Sequence, residues 1–181
     1  NLQVIDISEG VERIPVADHG HGEGDEHEGL DPHIWLSADN MRLIARNVAS
    51  ILISTDPDNS EYYQGNLEKA LVVIEDIDNQ LAQKLSQTSR QQFLIIHPSL
   101  GYFADAYGLQ MIPVEVDGQE PSPTQLAEIL NSSKTYGIHT LFTQTDRRAL
   151  CRHCLFDRLN DRLKKIRFKI ITLALHDSGQ P

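Results

Sequence analysis

The sequence predicts an α/β fold: a C-terminal lobe with a parallel four-stranded sheet and flanking helices, a long backbone helix, and a remnant of an N-terminal α/β lobe. Three observations predict it. Short apolar runs alternate with helical segments after Gln92, which is the pattern of a parallel sheet. Before them, a helical apolar periodicity covers 59–85. The chain opens on an apolar run at 2–7 that predicts one further strand.

The amino-acid composition argues against several classes of function. The 181 residues carry a formal net charge of -10, with a pI near 5.1, which argues against nucleic acid and anionic membranes as partners. No apolar run is long enough to predict a membrane span. The charge is uneven, because residues 1–146 hold 7 basic and 23 acidic side chains and residues 147–181 hold 9 and 3. The chain therefore becomes Arg-rich from about Thr145.

The first half of the chain predicts two helices. One covers 39–54, and the sequence Asp56-Pro57-Asp58 ends it and starts the second helix at 59–85. At 1.5 Å per residue the second helix is roughly 40 Å long, which suits a strut joining two lobes. The predicted domains are 1–56, the end of an N-terminal lobe with a His-rich acidic loop at 18–28; 57–88, a linking helix; and 89–181, a C-terminal α/β lobe.

The second half predicts the sheet. Strands are expected at 93–96, 111–116, 140–143 and 169–173, separated by helices at 99–107, 122–136 and 146–165. The helix at 122–136 starts with a capping box, Ser122-Pro123-Thr124-Gln125. Gly108 and Gly137 are expected to close the two shorter helices.

His97 follows the strand at 93–96 directly. In open α/β sheets ligands bind beyond the carboxyl ends of the strands, so His97 is a candidate ligand. An ordinary polar residue that ends a strand fits the same pattern. The carboxylates nearest to predicted strand ends are those of Glu115, Asp117, Glu120, Asp146 and Asp177.

His33 is the second candidate. It lies between Pro32 and an apolar segment, Ile34-Trp35-Leu36. The Asp31-Pro32 pair restrains the backbone, and Trp35 is expected to bury its ring and anchor the segment. A half-buried histidine with a purely structural role is the alternative.

The loop at 18–28 has a metal-collecting composition of histidines, acids and glycines: His19, His21 and His27 with Glu23, Asp25, Glu26 and Glu28. Imidazole favours zinc, copper, nickel or iron over magnesium or calcium, and binding should weaken below about pH 6. A solvated acidic loop is the alternative. Cys151 and Cys154 form one CxxC without a second pair, which we interpret as accidental spacing in a helix.

Together the His-rich loop, DPHIWLS at 31–37, the helix pair, FLIIHPSLGYFADAYGL at 93–109 and EVDGQEPSPTQL at 115–126 resemble a known family. It is that of the zinc- and manganese-binding solute-binding proteins of bacterial ABC importers, which includes the zinc-uptake and adhesin-type lipoprotein group. The resemblance covers about 4–144. It implies two α/β lobes joined by a rigid helix, with the metal held between the lobes.

The resemblance also implies ligands. His33 matches the N-lobe histidine of the DPHIW motif, and His97 matches the histidine after the first C-lobe strand. A further N-lobe histidine would precede Asn1, so the chain looks like a fragment lacking most of that lobe. Many members have Asp where this chain has Pro98. From about Thr145 the chain departs from the pattern of the family. The acidic ligand of the family falls near Ala174, and Asp177 or His176 follows a few residues later, which makes Asp177 a candidate.

The His-rich loop is typical of zinc members, so the resemblance implies Zn²⁺ as cargo, with Mn²⁺ or iron as the alternative. It further implies a membrane ABC permease as partner, no enzymatic activity, and a periplasmic or cell-surface lipoprotein. We expect the fragment to bind zinc weakly and to self-associate. Two other readings stay open, a zinc-dependent hydrolase and a His-rich metal buffer without a second site. The absence of an HExxH-type pair argues against the hydrolase.

Overall fold

The computed structural model describes residues 4–16, 29–89, 91–115, 119, 121–144 and 169–173, with the backbone alone at 144 and 169–173. These residues form two compact units. The first contains residues 4–16, 29–89 and 99–108, and the second contains 91–98 and the described residues from 109 onward. The segment 99–108, which the sequence assigned to the C-terminal lobe, thus belongs to the first unit. The lobe boundaries themselves stay a prediction.

The first unit contains three α-helices. They are α1 (Ala38–Thr55), α2 (Ser60–Ser86) and α3 (Gly101–Ala106). The hydroxyl of Ser37 accepts a hydrogen bond from the backbone N–H of Asn40 and caps α1. A 3-10 turn at Pro57–Asn59 separates α1 from α2. The predicted helix pair is confirmed, and the 27-residue α2 has the predicted length.

A small apolar cluster and a polar network hold this unit together. The cluster consists of buried Ile34, Ile44 and Tyr102, with the partly buried Val11, Ile14, Met41 and Val48 packed against it. The network starts at Arg42 of α1, whose guanidinium donates to Glu75 at 2.9 Å and Asp78 at 2.5 Å on α2. The hydroxyl of Tyr107 donates to Asp78 at 2.8 Å. The chain just after α3 is therefore fixed to α2.

The strand predicted at 2–7 is wrong over its described part. Residues 4–7 adopt no strand conformation, and the side chain of Val4 is 86% exposed. An extended segment becomes a strand only when a neighbouring strand satisfies its backbone groups. Among the described residues of this unit, only Pro15 and Leu30 form a β-bridge, which is antiparallel.

The second unit is built on a four-stranded sheet. The strands are β1 (Gln92–Ile95), β2 (Gln110–Pro113), β3 (Thr140–Gln144) and β4 (Lys169–Leu173), in the order β2-β1-β3-β4. Every adjacent pair is parallel, so the predicted four-stranded parallel sheet is confirmed.

The core of the second unit lies between the sheet and α4 (Pro123–Thr135). Its buried members come from the strands, from α4 and from residues adjoining these elements: Leu94, Ile96, Ile112, Val114, Leu126, Ile129, Ile138 and Leu141. Burying one such side chain contributes about 1.5–3 kcal/mol, which makes this cluster the main source of stability of the unit. The predicted capping box is present at Ser122 and Gln125. Gly137 follows α4 with a φ of 62°, a left-handed conformation that favours glycine.

Of the predicted helices, the one at 146–165 lies outside the described residues. Of the helices that the structure describes, none combines the length and the apolar character needed to cross a membrane.

Candidate metal-ligating residues

His33 is held by the carboxylate two residues before it. Its backbone N–H donates to Oδ1 of Asp31 at 2.9 Å, and its ring Nδ1 lies 2.7 Å from the same oxygen. A side chain that accepts from the backbone two residues further on forms an Asx-turn, which fixes the local backbone. A 3-10 turn, Ile34–Leu36, starts immediately after His33. Both the backbone and the ring of His33 are therefore set by Asp31.

Asp31 is itself fixed. Its side chain is 1% exposed. Its backbone N–H donates to the carbonyl of Ile14 at 2.9 Å, and its backbone carbonyl accepts from the hydroxyl of Tyr102 at 3.3 Å. That hydroxyl also accepts from the N–H of Ile14 at 3.3 Å. Hydrogen bonds at both the N–H and the carbonyl of Asp31 thus hold the main chain that carries this carboxylate.

The residue that anchors the segment Ile34–Leu36 in the core differs from the prediction. Trp35 was expected to be buried, but its side chain is 51% exposed, whereas Ile34 is only 9% exposed and packs in the cluster with Ile44 and Tyr102. A 3-10 turn has three residues per turn, so one of these three faces inward, and here it is Ile34. The Trp35 ring instead contacts the His33 ring edge-on, with 5.6 Å between centroids.

His97 follows β1, and the sheet supplies its carboxylate. The parallel register pairs Gln92 with Gln110, an offset of eighteen residues. Beyond β2 the ladder continues, because the N–H of Glu115 donates to the carbonyl of Ile96 at 3.0 Å. The same offset places Glu115 beside His97, and Oε2 lies 3.1 Å from the ring Nδ1. The Glu115 side chain is 3% exposed and that of His97 is 31% exposed.

The two histidines therefore share one local arrangement. In each, a buried carboxylate lies at Nδ1. A carboxylate acceptor selects the tautomer with the proton on Nδ1, which puts the lone pair on Nε2. This arrangement is the usual one for imidazole ligands of metal ions, since the carboxylate fixes the ring and makes Nε2 a better donor.

The sequence predicts these carboxylate partners only in part. It places Glu115 near a strand end, but the pairing of Glu115 with His97 follows only from the register. It indicates that Asp31 restrains the backbone, but not that Asp31 is the acceptor for His33. The spacing Asp-x-His is the signal that could have revealed it, because an Asp side chain readily accepts from the residue two positions later.

The other predicted site residues lie outside the described residues. They are His19, His21, His27 and Asp177, together with Asp117, Glu120, Asp146, Cys151 and Cys154. The ends of the His-rich loop are described: the N–H of Val16 donates to the carbonyl of Gly29 at 2.9 Å. In the part of the chain that the structure describes, no three His, Cys, Asp or Glu side chains are grouped closely enough to hold a metal ion.

Comparison with known proteins decides the family. The sequence model of ZnuA, the periplasmic component A of a zinc-uptake complex, matches residues 1–149. The chain belongs to the ZnuA family. The matched region ends close to the point where the charge changes sign, and it includes both histidine motifs.

Relatives and structures agree with membership in the ZnuA family. The high-affinity zinc uptake system protein ZnuA of Bacillus subtilis (strain 168) is 30% identical over 140 residues, which are 76% of this chain and 44% of that protein. The manganese ABC transporter substrate-binding lipoprotein PsaA of Streptococcus anginosus is 28% identical over 150 residues, 80% of this chain and 47% of that protein. This chain thus spans about half the length of these relatives.

Solved structures show the same fold. A crystal structure of ZnuA superposes with a TM-score of 0.79 at 28% identity and covers 96% of this chain and 63% of that one. A crystal structure of a ZnuA deletion mutant with zinc bound gives a TM-score of 0.78 at 30% identity, with 96% of this chain and 61% of that one covered. The α/β fold predicted from the sequence is therefore confirmed.

Proposed function

We propose that the protein is the solute-binding component of a bacterial metal ABC importer, which captures Zn²⁺ and delivers it to a membrane permease. The observation that carries the proposal is the pair of buried carboxylates, Asp31 and Glu115, at the Nδ1 atoms of His33 and His97. We propose both imidazoles as ligands of the cargo ion. Asp177 is proposed as a further oxygen ligand, and His19, His21 and His27 as accessory groups that collect zinc.

The physical case rests on charge. A carboxylate that is 1% or 3% exposed has lost most of its hydration, and this is unfavourable unless positive charge or hydrogen bonds compensate it. A divalent ion on Nε2 polarises the imidazole and strengthens the bond from Nδ1–H to the carboxylate. Metal binding at each ring would therefore stabilise a carboxylate that is already buried. The two buried carboxylates thus favour the binding of a cation at the imidazoles.

Zinc is the cargo that the donor set favours. Neutral imidazole is a borderline-soft ligand and suits zinc, copper, nickel or iron. ZnuA of Bacillus subtilis is described as a zinc uptake protein, and a ZnuA structure contains zinc. Manganese is the second candidate, because the relative PsaA is described as a manganese transporter component.

Location and partner follow from the same family. Its model describes a periplasmic component, and PsaA is described as a lipoprotein. We propose that this protein acts outside the cytoplasmic membrane, with an ABC permease as its partner and without catalysing a reaction. Association of two copies of the chain is a further prediction, and sedimentation velocity at several concentrations tests it.

The test is competitive metal binding to the 181-residue chain. Calorimetric titration with Zn²⁺ and with Mn²⁺, each in the presence of the other ion, should show a preference for Zn²⁺ that is lost in His33→Ala and in His97→Ala. A preference for Mn²⁺ would overturn zinc as the cargo, allowing for the general order of metal affinities. Metal-dependent hydrolysis of ester or phosphate substrates that His97→Ala abolishes would overturn the transport proposal in favour of a hydrolase.

A further inference from the structure

One oxygen of the buried Asp31 carboxylate lies against the backbone of α3. Oδ1 accepts both bonds from His33. Oδ2 is buried and has no hydrogen-bond partner among the described residues. A Cβ atom placed on Gly101 would lie 2.5 Å from Oδ2 and 3.4 Å from Cδ1 of Ile14. A separation of 2.5 Å is far inside van der Waals contact, so any side chain at position 101 must displace the carboxylate or α3.

The backbone of Gly101 gives no other reason for a glycine. The glycines with positive φ in the described chain are Gly10, Gly108 and Gly137. Gly101 is the first residue of α3, a position that an L-residue occupies without strain. Alanine has a higher helix propensity than glycine, so local preference alone favours Ala at this position. The space beside Asp31 is what requires the glycine.

The carboxylate has little freedom to move away. The bonds to Ile14 and Tyr102 hold its main chain. Rotation about the Cβ–Cγ bond would move Oδ1 out of line with both N–H groups of His33. A shift of Oδ2 is therefore transmitted to the orientation of the His33 ring.

We propose that Gly101 is a positioning residue for His33: the absence of a side chain at position 101 provides the space that holds the Asp31 carboxylate in line with Nδ1 of the ring. Its effect on metal binding rests on the proposed function, in which His33 is a ligand. The α3 helix then contributes to the His33 site in two ways, through the space at Gly101 and through the Tyr102 hydroxyl.

The test compares Gly101→Ala with Gly65→Ala. Gly65 lies inside α2, and a Cβ there would have nothing within 4 Å, so this control adds the same methyl group to a helix without a contact. The readouts are the ¹⁵N chemical shifts of the His33 ring in the metal-free protein, the zinc affinity and the melting temperature. Gly101→Ala should shift the ring nitrogens, reduce zinc affinity by roughly tenfold or more and lower the melting temperature. Gly65→Ala should leave the ring and the affinity unchanged and raise the melting temperature.

A cycle with Asp31→Ala identifies the contact. Gly101→Ala should be destabilising in the native background and neutral or stabilising when Asp31 is already alanine, because the clash is then absent. If Gly101→Ala fails to fold, recovery of folding in the double variant supports the proposal. Equal destabilisation in both backgrounds, or a native His33 ring spectrum in Gly101→Ala, would overturn it. If His33 is not a ligand, the result is different. His33→Ala then leaves the zinc affinity unchanged, whereas Gly101→Ala still shifts the signals of the His33 ring.

Discussion

The carboxylate of Glu115 lies 3.1 Å from Nδ1 of His97 because the two residues follow the adjacent parallel strands β2 and β1 with the same offset of eighteen residues. Asp31 reaches Nδ1 of His33 at 2.7 Å by a different route, a local turn within one segment. One arrangement depends on sheet register and the other on sequence proximity, yet both present an oriented imidazole backed by a buried negative charge. The predictions below follow from these two pairs and from the elements that support them.

Asp31→Asn should weaken zinc binding by about 10- to 100-fold. The amide oxygen can still accept from His33, but the negative charge that makes the imidazole a stronger ligand is removed. Isothermal titration with Zn²⁺ measures the effect, and Asp105→Asn, an exposed residue of α3, is the matched control. Equal affinity in the two variants would show that the carboxylate at His33 does not support metal binding.

Glu115→Gln should have a comparable effect through His97, again about 10- to 100-fold. Its control is Glu68→Gln, an exposed position on α2, and both are compared by the same titration. Circular dichroism separates loss of the ligand from loss of the sheet. A Glu115→Gln protein that is folded and binds zinc like the control would show that the carboxylate at His97 does not support metal binding.

Replacement of residues 17–28, which contain the His-rich loop, by an Asn-Gly turn should leave the fold intact and zinc binding by the proposed ligands His33 and His97 unchanged. The N–H of Val16 donates to the carbonyl of Gly29, and Pro15 forms an antiparallel bridge with Leu30, so a two-residue turn can connect Val16 to Gly29. Zinc titration should lose only weak binding events. Loss of every binding event would mean that the loop is the site, as a pure metal buffer requires.

Stability at high pH should depend on Tyr107. Burial, together with its hydrogen bond to Asp78, raises the pKa of Tyr107 to about 12. The unfolded chain releases this proton near pH 10, so the folded state binds more protons between pH 10 and about 12. The free energy of unfolding must therefore fall as pH rises through this window. Tyr107→Phe should flatten that decline in chemical unfolding curves.

At acidic pH the free energy of unfolding depends on pH with the opposite sign. The hydrogen bonds from Arg42 and then Tyr107 hold the pKa of Asp78 below its ordinary value. This contribution to stability is present above the ordinary pKa of Asp78 and is lost as pH falls through the folded-state pKa.

The control for the Tyr107 prediction is Tyr136→Phe, which removes the phenol of an exposed tyrosine. Parallel wild-type and Tyr107→Phe curves between pH 10 and 12 would contradict the role of Tyr107.

Most of the fold was predictable because its signals are local. The apolar run of β1 and the capping box at Ser122 each specify their own element, and the alternation of strands and helices specifies parallel pairing. The strand at 2–7 was wrong because a strand depends on a partner that a single segment cannot reveal. Trp35 was wrong because the 3-10 turn, and not side-chain size, decides that Ile34 faces inward.

The two histidines could be proposed as ligands from the sequence, but the carboxylates that orient them could not. His33 and His97 stand out by motif and by position after a strand. The pairing of Glu115 with His97 needs the exact register of β1 and β2, which two apolar runs alone leave undetermined. The space at Gly101 depends on the approach of α3 to Asp31, a tertiary contact across seventy residues of sequence.

The central proposal is that His33 and His97 are both ligands of the cargo ion, and counting the bound zinc tests it most directly. In the protein without the His-rich loop, the bound zinc is measured by calorimetry for native, His33→Ala, His97→Ala and the double variant. The account predicts that each single substitution removes or weakens the same binding event, so that the double variant loses no more than one ion. Two separate events, one lost in each single variant and both in the double variant, would contradict it.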